Sequence, residues 1–141
     1  TKTLGYDVIS LQTIAALDAG GKPITNSITG WPDSFFYDID LALSILTDDL
    51  IAWCPDAFTD ESRDKLKALN IKKIEVTLEE AMRGFACNLV SSGEVVIMSA
   101  NAPLLAAQIE AHGLRTVTPR ITELAKGGGY IRCTTLTLDN N

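Results

Sequence analysis

The sequence predicts an α/β fold built from repeated units of two strands, a helix and a further strand. Two paired-strand patterns, at residues 36–55 and 86–100, are each followed by a helical pattern and then by another strand. The repeat period is roughly 45 to 50 residues, which is typical of units that stack radially or as a solenoid. Because no linker or change of composition divides the chain, we expect one domain over residues 1–141.

The first unit is predicted from β-branched and aromatic runs, followed by a capped helix. Thr59 or Asp60 can cap this helix, because acidic side chains suit the positive end of the helix dipole. Thr47-Asp48-Asp49 is a tight-turn pattern between two strands, which predicts a hairpin. The predicted elements are strands at 4–11, 35–46 and 50–54, a helix from 59 to about 70, and a strand at 72–76.

The second unit repeats this order after a short helix that a capping-box pattern, Thr77 to Glu80, predicts. A further helix begins near Pro103 and ends at His112-Gly113, since Pro favours the first helical turn and Gly the residue after the last. The predicted elements are a helix at 77–83, strands at 86–91 and 94–99, a helix at 101–113, a strand at 114–119, a helical turn at 121–126 and a last strand from 131.

Composition excludes several classes of function. The formal net charge of −6 argues against a nucleic-acid groove or an anionic membrane surface, which need clustered Lys and Arg. Cys54, Cys87 and Cys133 are an odd number without CxxC spacing, so we expect free thiols, a cytoplasmic location, and core roles for the first two. His112 is the single histidine, and we predict no metal site and no cofactor.

The glycine-rich segment before Cys133 is the first candidate for chemistry. Gly127-Gly128-Gly129 permits positive φ and leaves backbone N–H groups open to a ligand, and Cys133 follows on a predicted strand whose Arg132 points to the opposite face. A thiol beside open N–H groups and a cation is where a thiolate is stabilised. The alternative is that Cys133 is a small apolar core residue, as most cysteines are.

Three polar residues in apolar surroundings are the other candidates. Asp38 and Asp40 lie two apart, so on a strand they share a face and could hold a cation or act as a base; alternatively they are solvated at the end of the buried part. Asn88 lies within a predicted hydrophobic strand, where its amide needs partners. It either binds a ligand or bridges the backbone.

Three segments together resemble one protein family. They are GGGYIRCTT at residues 127–135, FYDIDLAL at 36–43 and ACNLV at 86–90. The first resembles the C-terminal motif of the guanidino-group-modifying pentein superfamily, which includes arginine deiminase, dimethylarginine dimethylaminohydrolase and the amidinotransferases. The second resembles the aromatic–His–x–Asp segment of that superfamily, and the third the strand between the two motifs. The resemblance covers nearly the whole chain in the right order.

The resemblance implies a fold and a site. It implies a partial α/β propeller of about two and a half units, the C-terminal half of a five-bladed ring. It implies that Cys133 is the nucleophile position, that Asp38 occupies the place of the catalytic His, and that Asp40, Asn88, Gly128 and Gly129 contact the substrate. In the family, a His protonates the leaving amine and carboxylates bind the guanidinium nitrogens.

The residue at position 38 decides which function we expect. A carboxylate has no proton to give a leaving amine unless its pKa is raised. We therefore expect a degenerate or partial relative of the amidinotransferases and dimethylarginine dimethylaminohydrolases that binds a small guanidino or cationic compound without efficient turnover. The alternative is a Cys-dependent hydrolase or amidinotransferase that is active when assembled with a second subunit. Half a propeller leaves apolar flanks, so we also expect a homo-oligomer or a partner half-propeller.

Overall fold

The computed structural model describes residues 5, 7–136 and 138 and contains two units of the same topology. The first unit consists of β1 (Leu43–Thr47), β2 (Leu50–Trp53), α1 (Asp60–Ala68) and β3 (Lys72–Glu75). A short helix, α2 (Leu78–Gly84), connects it to the second unit, which consists of β4 (Val90–Ser91), β5 (Val95–Ile97), α3 (Pro103–Ala111) and β6 (Arg115–Val117). Single 3-10 turns lie at Ile39–Leu41, Pro55–Ala57, Leu124–Gly127 and Arg132–Thr134.

Each unit contains one three-stranded sheet with the same strand order. β1 pairs with β2 antiparallel and β2 with β3 parallel, and the second sheet repeats this as β4, β5 and β6. The parallel step needs a crossover, which α1 and α3 provide. The predicted α/β fold with repeated ββαβ units is confirmed. That these units form half of a five-bladed propeller stays a prediction.

The described residues form an apolar core to which both units contribute. Its largest fully buried side chains include Trp53, Phe58, Met98 and Ile109. Cys54 and Cys87 also belong to this core, and both thiols are free, so their predicted role as core residues is confirmed.

The two units are joined by polar contacts that local sequence predicts only in part. Thr77 accepts a hydrogen bond from the Glu80 backbone N–H at 3.2 Å, as the capping-box pattern predicts. The Glu80 carboxylate, however, is buried and accepts from the N–H groups of Leu104 and Leu105 at 2.7 and 3.0 Å. It therefore caps the first turn of α3, where a negative charge is favourable.

Two predicted strands in the first half of the chain are wrong in whole or in part. Leu4 and Tyr6 lie outside the described residues; the described part of the predicted strand at 4–11 has no strand, and Val8 is exposed. In the segment predicted as a strand at 35–46, pairing begins only at β1. Phe36, Leu41 and Ala42 are all buried, and this spacing requires a turn rather than the alternation of a strand.

Two further strand predictions fail near the C-terminal motif. Residues 86–89 form turns, with Asn88 N–H bonded to Phe85 O at 3.0 Å, and the strand is only β4. The predicted last strand is a 3-10 turn at Arg132–Thr134, because the Thr135 hydroxyl bonds back to Ile131 O at 2.7 Å. Thr137, which belongs to this prediction, lies outside the described residues. The prediction that Arg132 and Cys133 occupy opposite faces of a strand is therefore wrong.

Candidate active site

Asn88 is the residue around which the C-terminal motif is organised. Its side chain is fully buried, and its Oδ1 accepts hydrogen bonds from the N–H groups of Tyr130 and Arg132, both at 3.0 Å. The Cys133 N–H lies 3.5 Å from the same oxygen. Asn88 Nδ2 lies 3.3 Å from Cys133 Sγ and donates to it. The amide thus fixes both the backbone of the motif and the position of its thiol. Of the two roles that the sequence allowed for Asn88, the structure shows the bridge to the backbone, and contact with a ligand stays a prediction.

Cys133 lies on the 3-10 turn with an exposed thiol, unlike the two core cysteines. Its close neighbour is Gly129, where an added Cβ would lie only 3.0 Å from both Cβ and Sγ of Cys133. A side chain at this position would displace the thiol, which gives Gly129 a physical reason to be glycine. The structure therefore brings Cys133 and Gly129 together, while contact of Gly129 with a substrate stays a prediction.

Gly128 is held from the other side of the site. Its φ of +83° favours glycine, and its carbonyl accepts a hydrogen bond of 2.6 Å from the Tyr37 hydroxyl. This contact joins positions 91 apart in the sequence. Sequence reasoning did not assign Tyr37 a role, although its place directly before Asp38 in the aromatic–x–x–Asp segment was a signal that could have found it.

Asp40 is the carboxylate that meets the thiol. The distance from Cys133 Sγ to Asp40 Oδ2 is 3.9 Å, with the thiol as donor. Burial raises the pKa of Asp40, and the charge of Asp38 raises it further, while Arg132 and the hydrogen bonds from Asn88 and Cys133 lower it. Asp40 is therefore a partly desolvated acid between one like charge and one opposite charge.

Asp38 is coupled electrostatically to Asp40 of the same site. It precedes the 3-10 turn that carries Asp40, and its side chain is exposed. Burial is the main cause that raises the pKa of the Tyr37 hydroxyl, and the charges of Cys133, Asp40 and Asp38 follow in that order. These couplings put Asp38 within electrostatic reach of both Tyr37 and Asp40. The expectation that the two aspartates share a strand face is wrong, because one lies before a turn and the other within it.

The described part of the chain offers neither a metal cluster nor a membrane-spanning helix. No group of three or more His, Cys, Asp or Glu side chains there is arranged to hold a metal ion. No helix among the same residues is both long and apolar enough to cross a membrane.

A known protein family matches nearly the whole chain. A family profile described as "N,N dimethylarginine dimethylhydrolase, eukaryotic" matches residues 2–139. The N(G),N(G)-dimethylarginine dimethylaminohydrolase of Mycobacterium tuberculosis is 39% identical over 104 residues, which are 74% of this chain and 34% of that protein. The bifunctional arginine dihydrolase/ornithine cyclodeaminase AgrE of Nostoc is 29% identical over 107 residues, 74% of this chain and 15% of that protein. This chain thus spans about a third or less of the length of these relatives.

Solved structures agree with these matches. The product-bound N-terminal domain of ArgZ, an arginine dihydrolase of cyanobacteria, is similar with a TM-score of 0.75 and 27% identity, covering 96% of this chain and 43% of that one. The inosamine-phosphate amidinotransferase of Streptomyces griseus shares the fold with a TM-score of 0.53 at 18% identity, covering 75% of this chain and 32% of that one. The chain therefore belongs to the dimethylarginine dimethylaminohydrolase family, within the pentein superfamily of guanidino-modifying proteins.

Proposed function

We propose that this chain forms the thiol-bearing side of a guanidino-binding site and binds a small guanidino or cationic compound without efficient turnover. The observation that carries the proposal is the position of Cys133 Sγ, which lies 3.3 Å from the Asn88 amide and 3.9 Å from the Asp40 carboxylate. Family membership supports the ligand class, since the relatives named above act on arginine or dimethylarginine according to their names.

The charges around the thiol suit a cationic ligand. The charges of Asp38 and Asp40 are coupled, and the second is partly desolvated. A guanidinium is planar and offers several N–H donors in a fixed fork, which a carboxylate can accept in pairs. A ligand bound in this way would lie with its central carbon close to Cys133.

Turnover requires a proton that position 38 is poorly suited to supply. Attack by a thiolate forms a bond between sulfur and the guanidinium carbon, and the leaving nitrogen must be protonated as its bond to carbon breaks. In the superfamily that the motif resembles, a His supplies this proton; here the position is Asp38. An ionised carboxylate cannot donate this proton. We therefore expect the ligand to bind, and even to form the covalent bond to sulfur, without efficient release of product.

Labelling of Cys133 tests the proposal. Chloroacetamidine carries a planar amidinium beside its reactive carbon, whereas iodoacetamide is neutral. The ratio of the chloroacetamidine labelling rate to the iodoacetamide labelling rate should therefore be higher for Cys133 than for a small free thiol compound. Mass spectrometry should locate the label at Cys133, because Cys54 and Cys87 are fully buried and serve as internal controls. An Asp40→Asn variant should lose the preference for the amidinium. Equal preference in parent and variant would contradict a guanidino site at Asp40.

The second candidate function is catalysis by an assembly. This chain spans 34% of the length of the Mycobacterium tuberculosis relative, so further groups of a complete site could come from a second copy or from a partner half-propeller. An active Cys-dependent hydrolase or amidinotransferase would then release citrulline or ammonia from a guanidino compound. Light scattering and product assays over a range of protein concentrations separate the two candidates. Turnover that rises with oligomer formation would favour the assembled enzyme; binding without turnover at every concentration would favour the first proposal.

A further inference from the structure

Phe85 is the only described residue other than glycine that has a positive φ. It directly follows α2, and its φ and ψ of +51° and +38° lie in the left-handed helical region. Glycine is the usual residue at such a helix end, because a bulky side chain is disfavoured in this conformation. A residue that is kept in a disfavoured conformation indicates that its side chain has another role.

The ring of Phe85 contacts both segments that form the candidate active site. It stacks on the ring of Tyr130, with the two centroids 5.6 Å apart and an angle of 20° between the ring planes. It also contacts the ring of Phe35 at a centroid distance of 5.4 Å. Aromatic pairs at these distances are stabilising beyond the effect of the apolar area that they bury. Phe85 therefore joins the segment that continues to Asp40 to the motif that contains Cys133.

The turn that begins at Phe85 also carries Asn88. The Asn88 N–H donates to Phe85 O at 3.0 Å, and Asn88 Oδ1 accepts from the Tyr130 N–H at 3.0 Å. Tyr130 is therefore fixed twice to this turn, by its backbone through Asn88 and by its ring through Phe85. The Tyr130 hydroxyl donates to Ile121 O at 3.1 Å, which fixes the orientation of the ring as well. Because Cys133 follows three residues later, a displacement of Tyr130 would be passed on to the thiol.

We propose that Phe85 is a positioning residue whose ring holds the thiol of Cys133 beside the carboxylate of Asp40. The 3.9 Å contact between these two groups joins positions 93 apart in the sequence, and the stacked rings of Phe35, Phe85 and Tyr130 link the same two segments directly. The inference rests on the proposed function above, in which Asp40 favours a cationic ligand beside the thiol. Phe85 acts through its two aromatic neighbours and not by contact with the ligand.

The ratio of the chloroacetamidine labelling rate to the iodoacetamide labelling rate at Cys133 tests this role. Both reagents react with the same thiol, so a general loss of stability changes both rates together, whereas a displaced Asp40 lowers only the rate of the cationic reagent. Phe85→Gly and Phe85→Ala both remove the ring. The ratio should fall about two- to tenfold in each, which corresponds to the contribution of one aromatic pair. Phe85→Tyr keeps a ring that can stack and should retain the ratio of the parent.

The backbone conformation of Phe85 allows positioning to be separated from stability. At a φ of +51°, glycine is favoured over alanine, so Phe85→Gly should unfold at a higher temperature than Phe85→Ala. The labelling ratio should nevertheless be equally low in both variants. Phe58→Leu is the matched control, because the Phe58 ring pairs with Trp53 in the core at a centroid distance of 6.2 Å. It should lower the unfolding temperature and keep the labelling ratio of the parent.

A second comparison uses Asp40→Asn, in which the preference for the amidinium is already lost. Phe85→Gly should leave the labelling ratio of that variant unchanged, because the carboxylate that the ring positions is absent. The role of Phe85 alone would be overturned if Phe85→Gly kept the ratio of the parent, or lowered it further in Asp40→Asn. An equal fall in Phe85→Tyr or in Phe58→Leu would overturn it too. A parent protein without a preference for chloroacetamidine would overturn the proposed function and this inference with it.

Discussion

Asn88 offers the sharpest test of how the site is held together. Replacing it with Ala removes the Oδ1 atom that accepts from Tyr130 and Arg132, both at 3.0 Å. Each net hydrogen bond contributes about 0.5–1.5 kcal/mol, and a buried donor left unpaired costs about 1–3 kcal/mol. Tyr130 is buried, whereas Arg132 is exposed and its N–H can bond to water. We therefore expect Asn88→Ala to lower the free energy of unfolding by about 2–4 kcal/mol.

A second variant separates the two functions of the amide. Asn88→Asp keeps the acceptor oxygen, and a carboxylate that accepts backbone N–H groups is stabilised in its ionised form. The variant loses the Nδ2 donor that lies 3.3 Å from Cys133 Sγ and puts a negative charge there. Even with the dielectric constant of water, two like charges at this distance repel by about 1.3 kcal/mol, so alkylation of Cys133 should slow by about eightfold or more.

The assays follow from the positions of the tryptophans and cysteines. Denaturant unfolding can be followed by the fluorescence of Trp53, which is fully buried, against the constant background of Trp31, which is 74% exposed. Alkylation by iodoacetamide is measured in native buffer. Asn101→Ala, at an exposed asparagine before α3, is the control and should change the unfolding free energy by less than about 0.5 kcal/mol. An Asn88→Asp protein that is as unstable as Asn88→Ala, or that is alkylated at the rate of the parent, would contradict these two roles of the Asn88 amide.

Three further predictions concern the site residues that come from the first half of the chain, Tyr37, Asp38 and Asp40. Asp38→His should speed alkylation of Cys133 near neutral pH by about fivefold or more, because an imidazolium stabilises a neighbouring thiolate; an unchanged pH profile would show that position 38 does not act on the thiol. Tyr37→Phe should release the Gly128 carbonyl and lower the ratio of chloroacetamidine to iodoacetamide labelling rates about threefold, while a constant ratio would deny Tyr37 a positioning role. Burial, and after it the charge of Asp38, raises the pKa of Asp40, so ionisation of the Asp40 carboxyl opposes folding. Asp40→Asn should therefore be at least as stable as the parent at neutral pH. Any advantage in the free energy of unfolding should shrink as acid protonates Asp40 in both the folded and the unfolded state.

The parts of the fold that the sequence predicted well are those that local interactions determine. The Thr77 hydroxyl accepts from Glu80 N–H at 3.2 Å within one helical turn, and this pair is visible as a capping box. The two hairpins likewise follow from adjacent β patterns joined by turn residues. Because these local signals recur at a regular spacing along the chain, the order of the residues is enough to reveal the repeat.

The failed prediction of the last strand has a physical cause. Alternation of apolar and polar residues predicts a strand only if a partner strand satisfies the backbone. At residues 130–133 the partner is instead the side chain of Asn88, which lies 42 to 45 positions away in the sequence. No local pattern indicates that an amide so distant will accept these N–H groups. The buried Glu80 carboxylate at the start of α3 is a second long-range contact of this kind.

The placement of Asp38 allows its side chain to be changed without a cost to the fold. In the described part of the chain, its side chain makes no capping hydrogen bond to the 3-10 turn that follows, and it is exposed. Exposed positions without such contacts tolerate most substitutions with small changes in stability. Asn88, Gly129 and Cys133, in contrast, are locked together by short contacts that a substitution would break. The geometry around the thiol is therefore held by Asn88 and Gly129, so a substitution at position 38 should leave this geometry unchanged. This is why Asp38→His can report on the reactivity of Cys133 rather than on folding.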